Sequence, residues 1–188
     1  MRNQPFFLVI LVSALIISCT NKEHLFQENT NDWFQKGDAS WSHNNNELVG
    51  SIEEGTGFVM TNKMYKDFIL KLEFYPDSTI NSGVFLRCKE HNIDAADCHE
   101  INIWDLHPNQ DFRTGSVTTK AIPLAKVNTL NRWNTYKIKN ENDRIEVWVN
   151  DTLTADHQDN SLDQGFIGLQ AAGKGKIKFR NVIVEPLD

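Results

Sequence analysis

The sequence has no dense basic segment and no apolar run long enough to cross a membrane as a helix. Its 19 Lys and Arg residues are outnumbered by 25 Asp and Glu residues, and the formal net charge is -6. Because no Lys/Arg cluster could follow a phosphate backbone, nucleic acid is not an expected partner. The longest apolar run, residues 6–17, is about a dozen residues long, whereas a membrane-spanning helix needs roughly 20.

Several sequence motifs of catalysis and cofactor binding are also absent. The chain contains no Gly-x-Ser-x-Gly, Cys-x-x-Cys or phosphate-loop pattern, so serine hydrolase, zinc ribbon and nucleotide-binding functions lose their usual support. Glu100, Asp105 and Asp111 could form a calcium site, but they lack the regular spacing of calcium ligands. No metal and no cofactor is therefore predicted, with calcium kept as an alternative.

The N-terminus has the features of an export signal. Arg2 precedes the apolar run, which ends in Ile16-Ile17-Ser18-Cys19. This pattern predicts a signal peptide over residues 1–18 that closes on a lipobox, with Cys19 as the acylated residue. We expect an exported bacterial lipoprotein of the cell envelope that meets the membrane through its lipid alone. An ordinary signal peptide with an unmodified Cys19 is the alternative.

The rest of the chain suits one domain with a sizeable core. Residues 19–30 are polar and aperiodic, which predicts a tether, and residues 31–188 form the predicted domain. Its only cysteines are Cys88 and Cys98. In an oxidising compartment they are predicted to form a disulfide worth about 2 to 3 kcal/mol, with two buried free thiols as the alternative.

The hydrophobic pattern has a period of two along most of the domain. Phe68, Leu70, Leu72 and Phe74 alternate with more polar neighbours, as do the apolar residues of 101–103 and 145–149. Asn-rich and Gly-rich turn signals separate these segments, and no segment resembles a helix of ten residues. About a dozen short strands predict an all-β, jelly-roll (concanavalin-like) sandwich of two antiparallel sheets.

Two predicted strands carry unusual residues on their solvent side. Alternation puts Gly83, Phe85 and Arg87 on one face of the first strand. The second strand presents the residues Glu100, Asn102 and Trp104. The following loop, residues 105–116, adds further polar groups: Asp105, His107, Asp111 and Arg113.

This mixture of residue types is typical of sugar recognition. Pyranose rings have apolar C–H faces that stack on aromatic side chains, and their hydroxyls need planar, bidentate partners. Solvated surface charges and a core tryptophan would explain either strand alone. Their occurrence together favours a carbohydrate site at the end of a sheet.

At the motif level the chain resembles the 3-keto-disaccharide hydrolase family. Single motifs of this set are weak, but their order and spacing match throughout the domain. The matching segments are Trp41, 47–50, 65–74, Asn-Ser-Gly-Val-Phe-Leu-Arg at 81–87, Glu-Ile-Asn-Ile-Trp-Asp at 100–105, Arg-Trp-Asn-Thr-Tyr at 132–136, 168–170 and 179–182. Trp133 and Asn134 in this set are interpreted as packing and strand-end residues.

The resemblance implies an unusual glycoside cleavage. A ketone at C3 acidifies the C2 hydrogen, so a base can remove it while the glycosidic oxygen leaves C1, and water then adds to the glucal product. Glu100 is the expected base, His107 the alternative base or the acid, and Arg87 the enolate stabiliser. The expected substrate-binding residues are Asn102, Trp104, Phe85, Asp105, Arg113 and Gln170.

Two departures from the family qualify this expectation. Many members have Gln where this chain has Asn102, and the long insertions of larger members are absent, which predicts a smaller or different substrate. A non-catalytic, lectin-like carbohydrate-binding lipoprotein is the main alternative function, because the same fold hosts both. A structural envelope lipoprotein is the third.

Overall fold

The computed structural model describes residues 21–94 and 96–187, so the predicted signal peptide and Cys19 lie outside the described residues. In these ranges the chain forms thirteen strands and one short 3₁₀ turn, Gln110–Phe112. The strands are β1 (Glu23–His24), β2 (Trp33–Gly37), β3 (Ser40–Asn44), β4 (Glu47–Ile52), β5 (Thr56–Thr61), β6 (Phe68–Pro76), β7 (Ile80–Cys88), β8 (His99–Ile103), β9 (Asn134–Glu141), β10 (Arg144–Val149), β11 (Thr152–Gln158), β12 (Phe166–Gly173) and β13 (Gly175–Pro186).

The strands form two antiparallel sheets. The large sheet has the order β11-β10-β9-β6-β13-β4-β3, and β1 also pairs with β13. The small sheet has the order β2-β5-β12-β7-β8. Neighbours such as β6 and β13 are far apart in sequence, as expected when the chain crosses repeatedly between two packed sheets. The predicted all-β sandwich is confirmed.

The core lies between the sheets and follows the period-two pattern. Phe68, Leu70, Leu72 and Phe74 of β6 are buried, whereas Lys71 between them is exposed. Val84 and Leu86 of β7 meet the core from the small sheet. Burying each such large side chain contributes roughly 1.5 to 3 kcal/mol, which fixes the register of the strands.

The predicted tether is partly wrong. Within residues 21–30, Glu23 and His24 pair with Val184 and Ile183 of β13. Leu25 and Phe26 are buried in the main core. Two adjacent apolar residues are too few to produce a periodic signal in the sequence. In the structure, their burial attaches this segment to the sandwich.

Cys88 and Cys98 form the predicted disulfide, with an Sγ–Sγ distance of 2.14 Å. The bridge joins the end of β7 to the residue before β8 and closes the loop 89–97. Among the described residues, no helix is long and apolar enough to cross a membrane.

A polar segment covers the free edge of β8. The amide of Asn102 donates to the Ser116 carbonyl at 3.2 Å, and the amides of Gly115 and Thr118 donate to the carbonyls of Asn102 and Glu100 at 3.0 and 2.9 Å. Residues 115–118 thus act like an added strand, which protects the edge. They also bring Ser116 and Thr118 beside Asn102 and Glu100.

Candidate functional site

The outer face of the small sheet, which points away from the large sheet, carries two rows of side chains. Because successive Cα partners in a sheet share a face, each row crosses all five strands. The polar row consists of Lys36, Phe58, Gln170, Gly83 and Asn102. The apolar row consists of Phe34, Met60, Gly168, Phe85 and Glu100.

Gly83 forms the floor of the polar row. A Cβ built on it would lie 3.1 Å from Oε1 of Glu100 and 3.3 Å from a ring carbon of Phe85. The missing side chain therefore gives the Glu100 carboxyl and the Phe85 ring room to lie against β7, between Gln170 and Asn102. The glycine thus helps to set the position of the Glu100 carboxyl on this face.

Glu100 has the environment of a proton-transfer group. It is partly buried, and this burial raises the pKa of its carboxyl above the ordinary value, although the nearby Thr118 side chain opposes the shift. A carboxyl with a raised pKa is a stronger base when ionised. Such shifts concentrate at functional sites.

Three further buried polar atoms on this face have no hydrogen-bond partner within the described residues. They are Oδ1 of Asn102, Oγ of Ser116 and Oε1 of Gln170. Buried polar groups are nearly always paired, so unpaired ones in one region indicate a ligand or ordered water. Hydroxyls and amide groups of this kind can bind sugar hydroxyls.

An aromatic cluster lies at the Asn102 end of the polar row. The rings of Trp104 and His107 meet edge to face with centroids 4.5 Å apart, and the ring of Phe112 is 5.5 Å from that of His107. The side-chain amide of Asn102 donates to the Phe112 carbonyl. The structure therefore brings Asn102, Trp104 and His107 together, as the sequence predicts.

Within the described residues, only one ring nitrogen of His107 has a hydrogen-bond partner. Its Nδ1 lies 2.7 Å from the carbonyl oxygen and 3.0 Å from the amide nitrogen of Asn109. The chain places the imidazole at the surface, where it is half-buried. Nε2 can then act on a ligand bound over Trp104.

Arg87 does not join this site, and its predicted position is wrong. Its guanidinium is buried and donates to the carbonyls of Lys66, Asn142 and Leu162 at 2.7 to 2.9 Å. It also pairs with Asp67 at 2.8 Å. All three of its nitrogens thus bind protein atoms near the large sheet, on the other side of β7 from Phe85 and Glu100.

A β-bulge explains the error. Phe166 pairs with Cys88 and Gly168 with Phe85, so Ile167 alone opposes two residues of β7. Arg87 has a φ of 50°, in the left-handed region. One extra residue reverses the alternation of faces beyond it, which turns Arg87 inward.

Asp105 and Arg113 are also outside the site. The Asp105 carboxylate accepts from the amide and hydroxyl of Thr129 at 2.6 and 3.0 Å and lies 3.6 Å from Arg113. Arg113 donates to the Val127 carbonyl at 2.8 Å. Both side chains are buried and hold the 105–133 loop together, so their predicted role in substrate binding is replaced by a structural one. They line a separate surface cavity of about 520 Å³.

Phe85 and Gln170 lie on the predicted face in different settings. Phe85 is buried in a small apolar cluster with Met60 and the half-buried Ile93, so it supports the floor and offers no open ring for stacking. Gln170 is buried beside Gly83 with Oε1 unpartnered.

Sequence reasoning missed several residues of this face. Ser116 and Thr118 lie in a segment that reads as a loop because of its Pro, Asn and Gly content, yet they alternate around the buried Val117. This polar-apolar alternation over three residues was the sequence signal that could have identified Ser116 and Thr118. Lys36 and Phe58 lie on strands far from the main motifs, and only the register of the sheet connects them with Asn102.

The calcium alternative finds no support in the geometry. Within residues 21–94 and 96–187 no group of three His, Cys, Asp or Glu side chains is placed to hold a metal ion. Of the three acids considered, Asp105 binds Thr129 and Asp111 is exposed in the 3₁₀ turn.

Comparison with known proteins gives both a family and a fold. Residues 21–185 match the family described as the 3-keto-alpha-glucoside-1,2-lyase-like domain. No match is found among curated proteins. The match and the fold together indicate a jelly-roll domain of the glycosyl hydrolase-like or carbohydrate-binding kind.

Solved structures of similar fold come from both kinds of protein. A candidate glycosyl hydrolase from Parabacteroides distasonis aligns over 88% of this chain and 99% of its own, with 23% identity and a TM-score of 0.76. The carbohydrate-binding module CBM66 from Bacillus subtilis aligns over 82% and 95%, with 18% identity and a TM-score of 0.62. The Bacillus licheniformis β-glucanase aligns over 89% and 97%, with 15% identity and a TM-score of 0.62. These identities establish likeness of fold alone.

Proposed function

The chain belongs to the 3-keto-alpha-glucoside-1,2-lyase-like domain family, and from this membership we propose that it cleaves the glycosidic bond of 3-keto-glycosides by 1,2-elimination followed by hydration. The observation that carries the proposal is the partly buried Glu100 carboxyl packed over Gly83, near the unpartnered buried polar atoms of Asn102, Ser116 and Gln170. The outer face around Glu100 is the proposed binding place of the keto sugar.

Glu100 is the proposed base. Its carboxylate takes the proton from C2, and the electron pair left on C2 is delocalised into the C3 carbonyl as an enolate. The enolate then collapses, the C1–C2 double bond forms, and the C1–O bond breaks with its electron pair on the leaving oxygen. Burial raises the pKa of Glu100, which brings its basicity closer to that required.

Other side chains of the face take the remaining roles. The side-chain amide of Gln170 and the hydroxyl of Ser116 can donate to the enolate oxygen, in place of the predicted Arg87. His107 can protonate the leaving oxygen, and Trp104 can stack on a sugar ring. Water then adds across the glucal double bond, with its proton ending on C2.

The test is turnover of a 3-keto-glucoside by a Glu100→Gln variant. The amide keeps the size of the side chain but cannot accept the C2 proton, so we expect turnover to fall about a hundredfold or more. Mass spectrometry of the glucal and the released aglycone reports turnover, and thermal unfolding confirms that the variant is folded. Glu54→Gln, on an exposed turn, is the matched control; equal loss in both variants, or no loss in either, would remove Glu100 from the mechanism.

A second candidate function is carbohydrate binding without catalysis. The same unpartnered polar atoms would serve a lectin, and the fold of a carbohydrate-binding module is similar. Saturable binding of plain and 3-keto-glycosides without any change in ligand mass would favour this function over cleavage. An absence of sugar binding would favour a structural envelope role.

The predicted export and acylation remain a proposal of their own. The signal pattern before Cys19 supports it. Expression of the full chain in a bacterium should give a membrane-associated protein that begins at Cys19 and carries the mass of acyl chains. Cys19→Ala should release it from the membrane fraction; a soluble wild-type protein with an unmodified cysteine would contradict acylation.

A further inference from the structure

His91 and Ile93, in the loop closed by the disulfide, lie over the outer face of the small sheet. Cγ2 of Ile93 lies 3.5 Å from the position of a Cβ built on Gly168 in β12. The His91 ring centroid is 4.0 Å from that of Phe166 and 4.6 Å from that of Phe34 in β2. The loop thus starts at β7 and reaches across the sheet to β2, which makes it a wall along the apolar row.

His91 is the exposed part of an aromatic platform on this wall. Its imidazole is held between the half-buried rings of Phe34 and Phe166 and remains open to solvent. Ring side chains held in this way stack well on the C–H face of a pyranose, since little conformational freedom is lost on binding. Glu90 and Asn92, the exposed neighbours of His91, can bind hydroxyls.

The platform lies too far from Glu100 to touch the same sugar ring. Phe166 belongs to β12, two strands from β8, and Phe34 belongs to β2, four strands away. With neighbouring strands about 4.8 Å apart, the separation is roughly 10 to 19 Å. A ligand that reaches both places must have at least a second ring.

We propose that His91, with Phe34 and Phe166, forms a distal subsite that stacks a second sugar ring in the leaving group. The disulfide-closed loop thereby carries the residue that contacts the sugar of the leaving group, and His91 contributes to the affinity for that sugar. This inference rests on the proposed function for the position of the reacting ring, which lies at Glu100.

The test compares 3-keto-disaccharides with the 3-keto form of methyl glucoside. His91→Ala should raise KM for the disaccharide about five- to tenfold, the effect of losing one stacked ring, and change kcat less than about twofold. Both constants for the methyl glycoside should stay as in the wild type. His91→Phe should restore the disaccharide KM, and His24→Ala, at an exposed position of β1, is the matched control.

Two outcomes would overturn the subsite. They are an equal rise of KM for both substrates, which indicates general damage to the site, and an unchanged KM for the disaccharide. A Cys88→Ser/Cys98→Ser variant gives a second measurement: it should lose the preference for disaccharides while keeping turnover of the methyl glycoside. Loss of both activities with native thermal unfolding would count against a subsite confined to the loop.

Binding experiments separate this inference from the proposed function. Calorimetric titration with plain disaccharide and plain methyl glucoside involves no chemistry. Weaker binding of the disaccharide alone to His91→Ala, in a protein that cleaves nothing, would uphold the subsite and overturn the lyase. Cleavage of both substrates with equal efficiency by wild-type protein would do the reverse.

Discussion

The sequence pattern predicts Arg87 on the outer face of the small sheet, whereas the fold buries its side chain. Its guanidinium joins the carbonyls of Lys66, Asn142 and Leu162 and the carboxylate of Asp67, and only 1% of the residue is exposed. A buried charge that meets this many partners stabilises the fold only as long as all partners are present. Its removal leaves the three carbonyls without this donor and leaves Asp67 with the Asn142 amide as a partner but without the charge of Arg87.

We therefore predict that Arg87→Met lowers the free energy of unfolding by about 3 to 5 kcal/mol. Urea denaturation followed by fluorescence measures the change, with Lys89→Met, an exposed neighbour, as the control. A purely catalytic arginine would give the opposite result, in which turnover is lost and the unfolding midpoint is unchanged.

The site residues differ in whether their positions are determined within their own strand or by residues that are distant in the sequence. Glu100 and Asn102 follow from alternation within one short strand, and the structure places both on the expected face. The predicted face of Arg87 is wrong because the bulge depends on the partner strand β12, whose residues lie about eighty positions later in the sequence. Asp105 and Arg113 are drawn inward by Thr129 and Val127, contacts that no local pattern could reveal.

At the scale of elements, the 105–133 loop acts as a clamp on β8. Asp105 binds Thr129 and so joins the two ends of the loop, while residues 115–118 in its middle pair with β8. The Tyr136 hydroxyl joins these parts, since it donates to the Asn102 carbonyl at 2.6 Å and accepts from the Gly115 amide at 3.1 Å. Glu100 and Asn102 keep their positions because this edge is held.

Weakening the contacts of the 105–133 loop should therefore disturb the positions of Glu100 and Asn102 without replacing either residue. Asp105→Ala leaves Arg113 without its carboxylate, and we expect the free energy of unfolding to fall by about 3 kcal/mol. Amide hydrogen exchange of residues 115–118 should become faster than that of β9 in the same sample. Asp111→Ala, an exposed change in the same loop, should alter neither quantity; equal protection in the two variants would disprove the clamp.

The strands themselves were the most predictable elements. Period-two alternation located β6, β8 and β10 because each strand buries one face, so the pattern is determined within the strand. Segment 115–118 escaped prediction because it pairs with β8 as an irregular strand. Leu25 and Phe26 escaped because the burial of such a short segment depends on β13.

At the scale of the whole molecule, a cluster of His99, Lys120 and Asp159 lies at one edge between the sheets. The protonation of this cluster depends on pH. His99 is fully buried, with Nδ1 3.0 Å from Nζ of Lys120, which lies 2.6 Å from the Asp159 carboxylate. Burial, followed by the charge of Lys120, lowers the pKa of His99 from 6.5 to about 4. The same lysine and Ser161 hold the pKa of Asp159 below its usual range despite its burial.

These shifts predict how stability falls in acid. Above pH 6.5 His99 is neutral in the folded and the unfolded chain, and its contribution is fully present. As the pH falls from 6.5 to about 4 the unfolded chain binds a proton that the folded chain does not, so stability declines by about 3 kcal/mol in total. The carboxylates of Asp159, Glu73 and Asp77, whose pKa values are lowered in the fold, add a further loss below about pH 5.

Replacing His99 separates the two acid transitions. His99→Gln keeps a polar side chain of similar size but cannot titrate, so its unfolding free energy should be nearly constant between pH 6.5 and 5, where the wild type declines. Urea denaturation at half-unit steps of pH measures both curves, and His24→Gln, at an exposed position, should follow the wild type. If His99→Gln declines as steeply as the wild type, the acid sensitivity arises elsewhere, and the polar group between the sheets contributes to packing alone.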